Sequence, residues 1–240
     1  MIIDKYLNSI TSILEKIKDT QTNRITAASK IVANVIENDG IIYIFGCGHS
    51  HLIALDCFYR SGGLANVSAM LDTDLMLHNG AAKSSKMEKM QGIAKEIFKR
   101  YCITKKDLII IVSTSGKNAV PVEMAQTAAN NGIKSIAVTS SAYFADKKTE
   151  PMLYECADMY IDNCVPYGDA AVDISGAKTK MGSVSTAASS FILQTILMTG
   201  AGAAVKSGKA PPVYMSGNIE GGAEFNEGLI KKYLPRIKHL

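Results

Sequence analysis

Residues 45–51, FGCGHSH, set Cys47, His49, Ser50 and His51 around Gly46 and Gly48, straight after the apolar run IIYI. Several chemistries use those residue types. Gly46 and Gly48 permit a tight turn and a close backbone approach, and Ser50 stands where the N-cap of a following helix would stand. That arrangement suits a phosphate. A dinucleotide fingerprint needs GxGxxG; here His51 replaces the third glycine, although Asp72 could imitate the ribose-binding acid. Cys47, His49 and His51 could instead hold a metal, but alternate residues on a glycine turn diverge and no HExxH-like pair backs them, so no metal is expected. The plainest reading leaves Ser50 as a helix cap and the histidines as packing residues.

A second stretch tips the balance toward the phosphate. Residues 113–118, STSGKN, follow the apolar run DLIIIV and lead into a helical segment with Pro121 in its first turn. Ser113, Thr114, Ser115 and Gly116 again suit phosphate oxygens at a helix start, and Lys117 adds positive charge.

The elements that must position these loops alternate. Ile3, Tyr6, Leu7, Ile10, Ile13, Leu14 and Ile17 recur at helical spacing, and a second helix is expected over 22–37, closed by Asn38-Asp39-Gly40. Buried strands are expected at 41–45, 66–70, 107–112, 135–139 and 158–161, with helices at 51–61, 86–101 and 118–130 between them. Strand–helix alternation predicts right-handed βαβ units, and wholly apolar strands predict a sheet covered on both faces. The fold class expected is α/β: a three-layer αβα sandwich with a five-stranded parallel sheet in flavodoxin-like order. In that order the two loops sit on neighbouring strands at the switch point, where ligands bind. After Asp162 a long loop leads to a helix over 184–205, and beyond Pro211-Pro212 a glycine-rich tail leads to a last helix over 223–233. The whole chain reads as one domain: an N-terminal helical segment 1–30, a core 31–206, and a tail and helix 207–240.

Composition excludes other classes. At 240 residues, with 47% apolar and 20% charged residues, the chain is an ordinary globular protein. Its net charge of +4 is scattered, with small clusters at Lys105-Lys106, Lys147-Lys148 and Lys231-Lys232 and no basic, aromatic-interleaved helix, so no nucleic-acid partner is expected. Five dispersed cysteines without a CxxC pair favour reduced thiols in a cytoplasm. The charged N-terminus does not read as a signal peptide. Segment 184–205 is uncharged and long enough for a bilayer, but Ser185, Thr186, Ser189, Ser190, Gln194, Thr195 and Thr199 point to a helix buried on most sides, and no membrane partner is expected.

FGCGHSH with LIALDCFYRSGG, IIIVSTSGKN and MGSVSTAASSFILQTIL resembles the sugar isomerase (SIS) domain of phosphosugar enzymes and regulators, over roughly residues 31–206. The whole chain, with LMLHNGAAKSSKMEKMQG and the tail PPVYMSGNIEGG, is similar to stand-alone SIS proteins described as phosphoheptose isomerase-like. The resemblance implies a sugar or amino-sugar phosphate held by Ser50, Ser113, Thr114 and Ser115, in at least a homodimer with the site near the subunit interface. Many such loops end in another hydroxyl, where this chain has Asn118, which can still donate. Phosphoheptose isomerases carry a His and a Glu one turn apart on the helix after the glycine turn; Asp56 and Arg60 stand there, so no metal-assisted mechanism and no cofactor is implied.

Aldose–ketose isomerisation needs a base to move a proton between adjacent carbons and often an acid to open the ring; loss of an ether needs a similar pair. The candidates are His51, in the first turn of the phosphate-facing helix; His78, in a turn that could fold over the site; Glu88, opening the next helix; and Glu224, in the tail. Asp56 is expected to pair with Arg60 one turn on. The function expected is isomerisation of a sugar phosphate, with an etherase-like lyase or a non-catalytic sensor as alternatives.

Overall fold

The computed structural model describes residues 1–146 and 151–240; Lys147 and Lys148 lie outside the described residues. Five strands form one parallel sheet: β1 (Ile42–Gly46), β2 (Val67–Met70), β3 (Leu108–Val112), β4 (Lys134–Thr139) and β5 (Met159–Asp162), in the order β2-β1-β3-β4-β5. This is the expected flavodoxin-like order. Phe45 pairs with both Met70 and Ile111, and Gly46 with Val112, so the tips of β1 and β3 lie side by side.

Alternate strand residues feed two cores, as a sheet covered on both faces requires. Ile42, Ile44, Leu108, Ile110, Val112, Ile136 and Val138 face α1 (Ile2–Glu37), α2 (His51–Cys57) and α7 (Ser185–Lys206). Tyr43, Phe45, Ile109 and Ile111 face α4 (Ile93–Phe98), α5 (Ala119–Asn130), the short α6 (Leu153–Cys156) and the tail with α8 (Gly222–Tyr233). The remaining elements are α3 (Ala81–Met87) and a two-stranded antiparallel hairpin, β6 (Ala170–Val172) with β7 (Met181–Ser183).

Four expectations need correction. The two N-terminal helices are one, 36 residues long and so about 54 Å. No Gly or Pro interrupts residues 18–21, and the Thr20 and Thr22 hydroxyls donate back to the carbonyls of Lys16 and Lys18 instead of capping a new start. The helix expected over 86–101 begins only at Ile93: α3 ends at Met87, and Gly92, at φ +90° with its N–H donating to the Glu123 carboxylate at 2.7 Å, starts α4 afresh. The long loop after Asp162 holds the β6–β7 hairpin, whose three-residue strands are too short to register in the sequence. The helix at 184–205 is present as α7, which is long and apolar enough to cross a membrane, but it is buried along one side rather than most. Met198 and Val205 are more than half exposed on its other face, and Leu52, Leu55 and Tyr59 in and after α2 are exposed as well.

Candidate functional site

The glycine turn after β1 is built for close approach. A Cβ on Gly46 would lie 2.6 Å from the Ser50 carbonyl, so the chain can fold back over that position only without a side chain. Gly48 to Ser50 form one turn of 3-10 helix that runs into α2. Ser50 stands at the N-cap position of α2, as expected, but with helical backbone angles and no capping bond from its hydroxyl, which stays available. His49 and Ser50 line a small cleft with Ile53, Val112, Thr114, Ser185, Thr186 and Ser189. The cleft draws on three elements: the turn after β1, the loop after β3 and the first turns of α7.

The second loop is held open by its own residues. Gly116 sits at φ +61°, and a Cβ there would come within 2.6 Å of the Thr139 hydroxyl. The Gly116 N–H donates to Ser113 Oγ at 3.3 Å, which spends one face of Ser113 on loop shape. Thr114 reaches the cleft; Ser115 is half-buried on the same loop without lining it. Lys117 points the other way. Its ammonium bonds Asp146 at 2.8 Å and lies 5.6 Å above the Tyr143 ring, and the Asp146 bond raises its pKa. Lys117 and Asn118 line a second, wider cleft with Lys89, Gln91, Glu123 and Gln126.

His51 is 4% exposed, and its Nδ1 meets the Gly48 carbonyl. A carbonyl only accepts, so Nδ1 carries the proton and a neutral His51 presents a bare Nε2. His78, exposed in the short turn Leu77–Asn79, stands edge-on to His51 with ring centroids 6.1 Å apart. The loop thus brings His78 against His51, and neither imidazole lines the cleft. Glu88 follows α3; burial raises its carboxyl pKa, partly offset by a hydrogen bond from Asn118. Its charge also bears on Cys47, whose buried thiol is pushed far up, chiefly by burial. Asp56 pairs with Arg60 as expected, and its other oxygen accepts from Ser190 at 2.8 Å and Gln194 at 3.1 Å, which ties α2 to α7. Glu224 is exposed in the first turn of α8 and does not line the cleft.

Sequence reasoning does not reach the first turns of α7 as part of the site. The run SVSTAASS carries the signal, hydroxyls crowded at a helix start, the same pattern that marks the two loops. It does not reach Asn163, just past β5, either; a lone buried amide leaves no trace in sequence.

A family model described as SIS domain matches residues 5–140. A UPF0309 protein of Thermoanaerobacter pseudethanolicus is 42% identical over 244 residues, covering 98% of this chain and 99% of its own. Among solved structures, a phosphoheptose isomerase from Neisseria gonorrhoeae is similar at 15% identity and TM-score 0.50, covering 82% of this chain and 95% of that one. A protein of Escherichia coli CFT073, solved as a ligand complex, is similar at 14% identity and TM-score 0.51, covering 87% and 91%. At such identities the likeness is one of fold.

Proposed function

Because this chain belongs to the SIS-domain family, and within it to the UPF0309 proteins, we propose that it binds a sugar or amino-sugar phosphate and interconverts its aldose and ketose forms. One observation carries the reading: hydroxyls of Ser50 and Thr114, from turns on adjacent strand tips, line one cleft with Ser185, Thr186 and Ser189. Hydroxyl and backbone donors at the switch point of a parallel sheet suit a tetrahedral anion. The named chemistry of the Neisseria protein, phosphoheptose isomerisation, lies in the same class.

In this reading, with phosphate in the cleft beside His49 and Ser50, the sugar extends toward the neighbouring pair His51 and His78. His51 Nε2 is the base that takes a proton from one carbon and returns it to the next; its Nδ1 bond to Gly48 fixes the ring and the tautomer. His78 covers the ring and orders the loop. Glu88, whose carboxyl pKa burial raises against the opposing Asn118 hydrogen bond, is the candidate acid for ring opening. The exposed uncharged face of α7 with Leu52, Leu55 and Tyr59 is covered in this reading by a second copy of the chain, beside the cleft, and sedimentation velocity tests that association. Glu224 joins the reaction only if that second copy brings its α8 to the rim.

The test is a panel of hexose, heptose and N-acetylhexosamine 6-phosphates in deuterated water, followed by NMR. Deuterium entering C1 or C2 with a new isomer is the expected result. Released lactate would assign a lyase, a bound but unchanged ligand would assign a sensor, and absence of exchange with every bound sugar phosphate overturns the isomerase.

A further inference from the structure

Asn163 is completely buried behind the cleft. Its Oδ1 accepts the Val165 N–H at 3.3 Å, which fixes the amide orientation, since a backbone N–H cannot face an NH2 group. The NH2 then donates in two directions, to Thr114 Oγ1 at 3.3 Å and to Ser189 Oγ at 3.3 Å. Both hydroxyls line the cleft, and Ser189 is only 1% exposed. Each hydroxyl has one proton. An oxygen that accepts from behind has that proton left to give forward, and neither proton meets an acceptor among the described residues.

The same rim holds the opposite case. Asp169 accepts from the backbone N–H of Val184 at 3.0 Å and of Ser185 at 2.8 Å, and from the Ser185 hydroxyl at 2.7 Å. The proton of Ser185 is spent on Asp169, so its oxygen is left as an acceptor. Two hydroxyls of the cleft are poised to give protons and one is poised to take one.

We propose that Asn163 is a positioning residue that sets this polarity, turning the Thr114 and Ser189 hydroxyls into donors aimed at a bound oxyanion, with Ser189 a direct ligand of that anion. The inference rests on the proposed anion cleft and adds how the cleft selects charge. A neutral hydroxyl lining would serve anions and cations alike; an amide behind it makes the lining a donor surface. Asp169 beside it leaves one place for a sugar hydroxyl to donate.

The test titrates inorganic phosphate into the full-length chain by calorimetry, for the wild type and for Asn163→Asp, Asn163→Leu and Ser189→Ala, each checked for folding by thermal melting. Asn163→Asp keeps the size but replaces two donors by an acceptor, reverses both hydroxyls and sets a negative charge behind the anion, so roughly a hundredfold loss of affinity or more is expected. Asn163→Leu removes the donors without adding charge, and Ser189→Ala removes one donor; each is expected to lose about tenfold. The order matters: a purely structural Asn163 would make Leu, which loses every bond, at least as harmful as Asp. Equal binding by wild type and Asn163→Asp, or Leu weaker than Asp, overturns the proposal. If neither Asn163 variant folds, unchanged phosphate affinity in Ser189→Ala overturns it. Failure of the wild type itself to bind phosphate would instead sink the anion cleft, a result the wild-type titration reports by itself.

Discussion

The two ends of the sheet hold one buried polar network each, and they are finished differently. At the start of β1 and β3, the fully buried Asp107 side chain accepts from Ile41 N at 2.7 Å, Thr104 N at 2.6 Å, Thr104 Oγ1 at 2.9 Å and Arg236 Nη2 at 2.6 Å. All of the carboxylate's partners are protein groups, one on Oδ1 and three on Oδ2, and the one loose end is Arg236 Nη1, buried without a partner among the described residues. At the other end, beyond the tips of β3 and β5, Asn163 feeds two hydroxyls whose protons find no acceptor in the described chain. A buried network in low dielectric stabilises strongly when it is closed and is costly when left open. The closed end holds the fold together; the open end keeps donors unspent for a ligand.

Removing the closed network should have the largest effect on stability. Asp107→Ala strands the buried donors around it and leaves the Arg236 guanidinium unpaired, and about 3–5 kcal/mol of stability should go in urea unfolding. Phosphate affinity of the folded fraction should stay within twofold. A loss under about 1 kcal/mol would mean that the network is held by packing rather than by charge and hydrogen bonds. The open end should answer in reverse. Ser50→Ala with Thr114→Val removes two hydroxyls that line the cleft, so phosphate-induced thermal stabilisation should vanish, while the ligand-free stability falls by about 1–3 kcal/mol because Thr114→Val leaves one buried Asn163 N–H without its acceptor. Persisting stabilisation would place the anion elsewhere.

The same contrast governs what sequence can disclose. The strands, their order and the two glycine-and-hydroxyl loops are legible, because buried strands are continuous apolar runs and tight turns demand Gly46 and Gly116 whatever lies beyond them. The continuity of α1 is not: Lys18-Asp19-Thr20-Gln21 is polar, and only its packing along α7 shows that the helix runs through. Ser50 is legible as part of the glycine turn but not as a residue inside a helical turn, since type and position do not report backbone angle. Lys117, expected at the phosphate, instead pairs with Asp146, a partner 29 residues away. Asn163 and Ser189 are invisible as site residues because their role depends on which proton goes where, and that is settled only when β5, the β3 loop and α7 meet.

An acid at the open end should behave unlike Asp107. Burial raises the Glu88 pKa above its ordinary 4.5, so the folded chain favours the protonated form. A group whose folded pKa is raised contributes stability below its unfolded pKa and loses it as pH rises through the folded value. Glu88→Gln should therefore unfold at slightly higher temperature than wild type at pH 7, with the two curves converging near pH 4. If Glu88 is the ring-opening acid, turnover should fall by about 10²–10⁴-fold at the same time. A variant that is less stable at pH 7 would show that the ionised carboxylate is needed for folding and would remove Glu88 from the acid role.

The smallest effect belongs to a solvent-facing counterpart of Asp107. Asp39, just before β1, bonds Lys209 at 2.9 Å and Lys232 at 2.8 Å, tethering the ends of α7 and α8. Those two bonds lower its pKa from 3.8 to about 2. Its side chain is 46% exposed, so water and salt screen most of that gain. A depressed carboxyl pKa gives stability that is present above the unfolded value and lost as pH falls through the folded one. Asp39→Asn retains a residue type that tolerates the φ of +50° found there. It should cost a few tenths of a kcal/mol to about 1 kcal/mol at pH 7. The cost should stay flat down to about pH 5, shrink between pH 4 and 2, and fall in 1 M salt. The Asp107→Ala loss should keep most of its size in that salt, because the Asp107 carboxylate is fully buried and its Arg236 partner only a quarter exposed. Equal salt sensitivity at the two aspartates would erase the distinction between a closed buried clamp and an exposed tether.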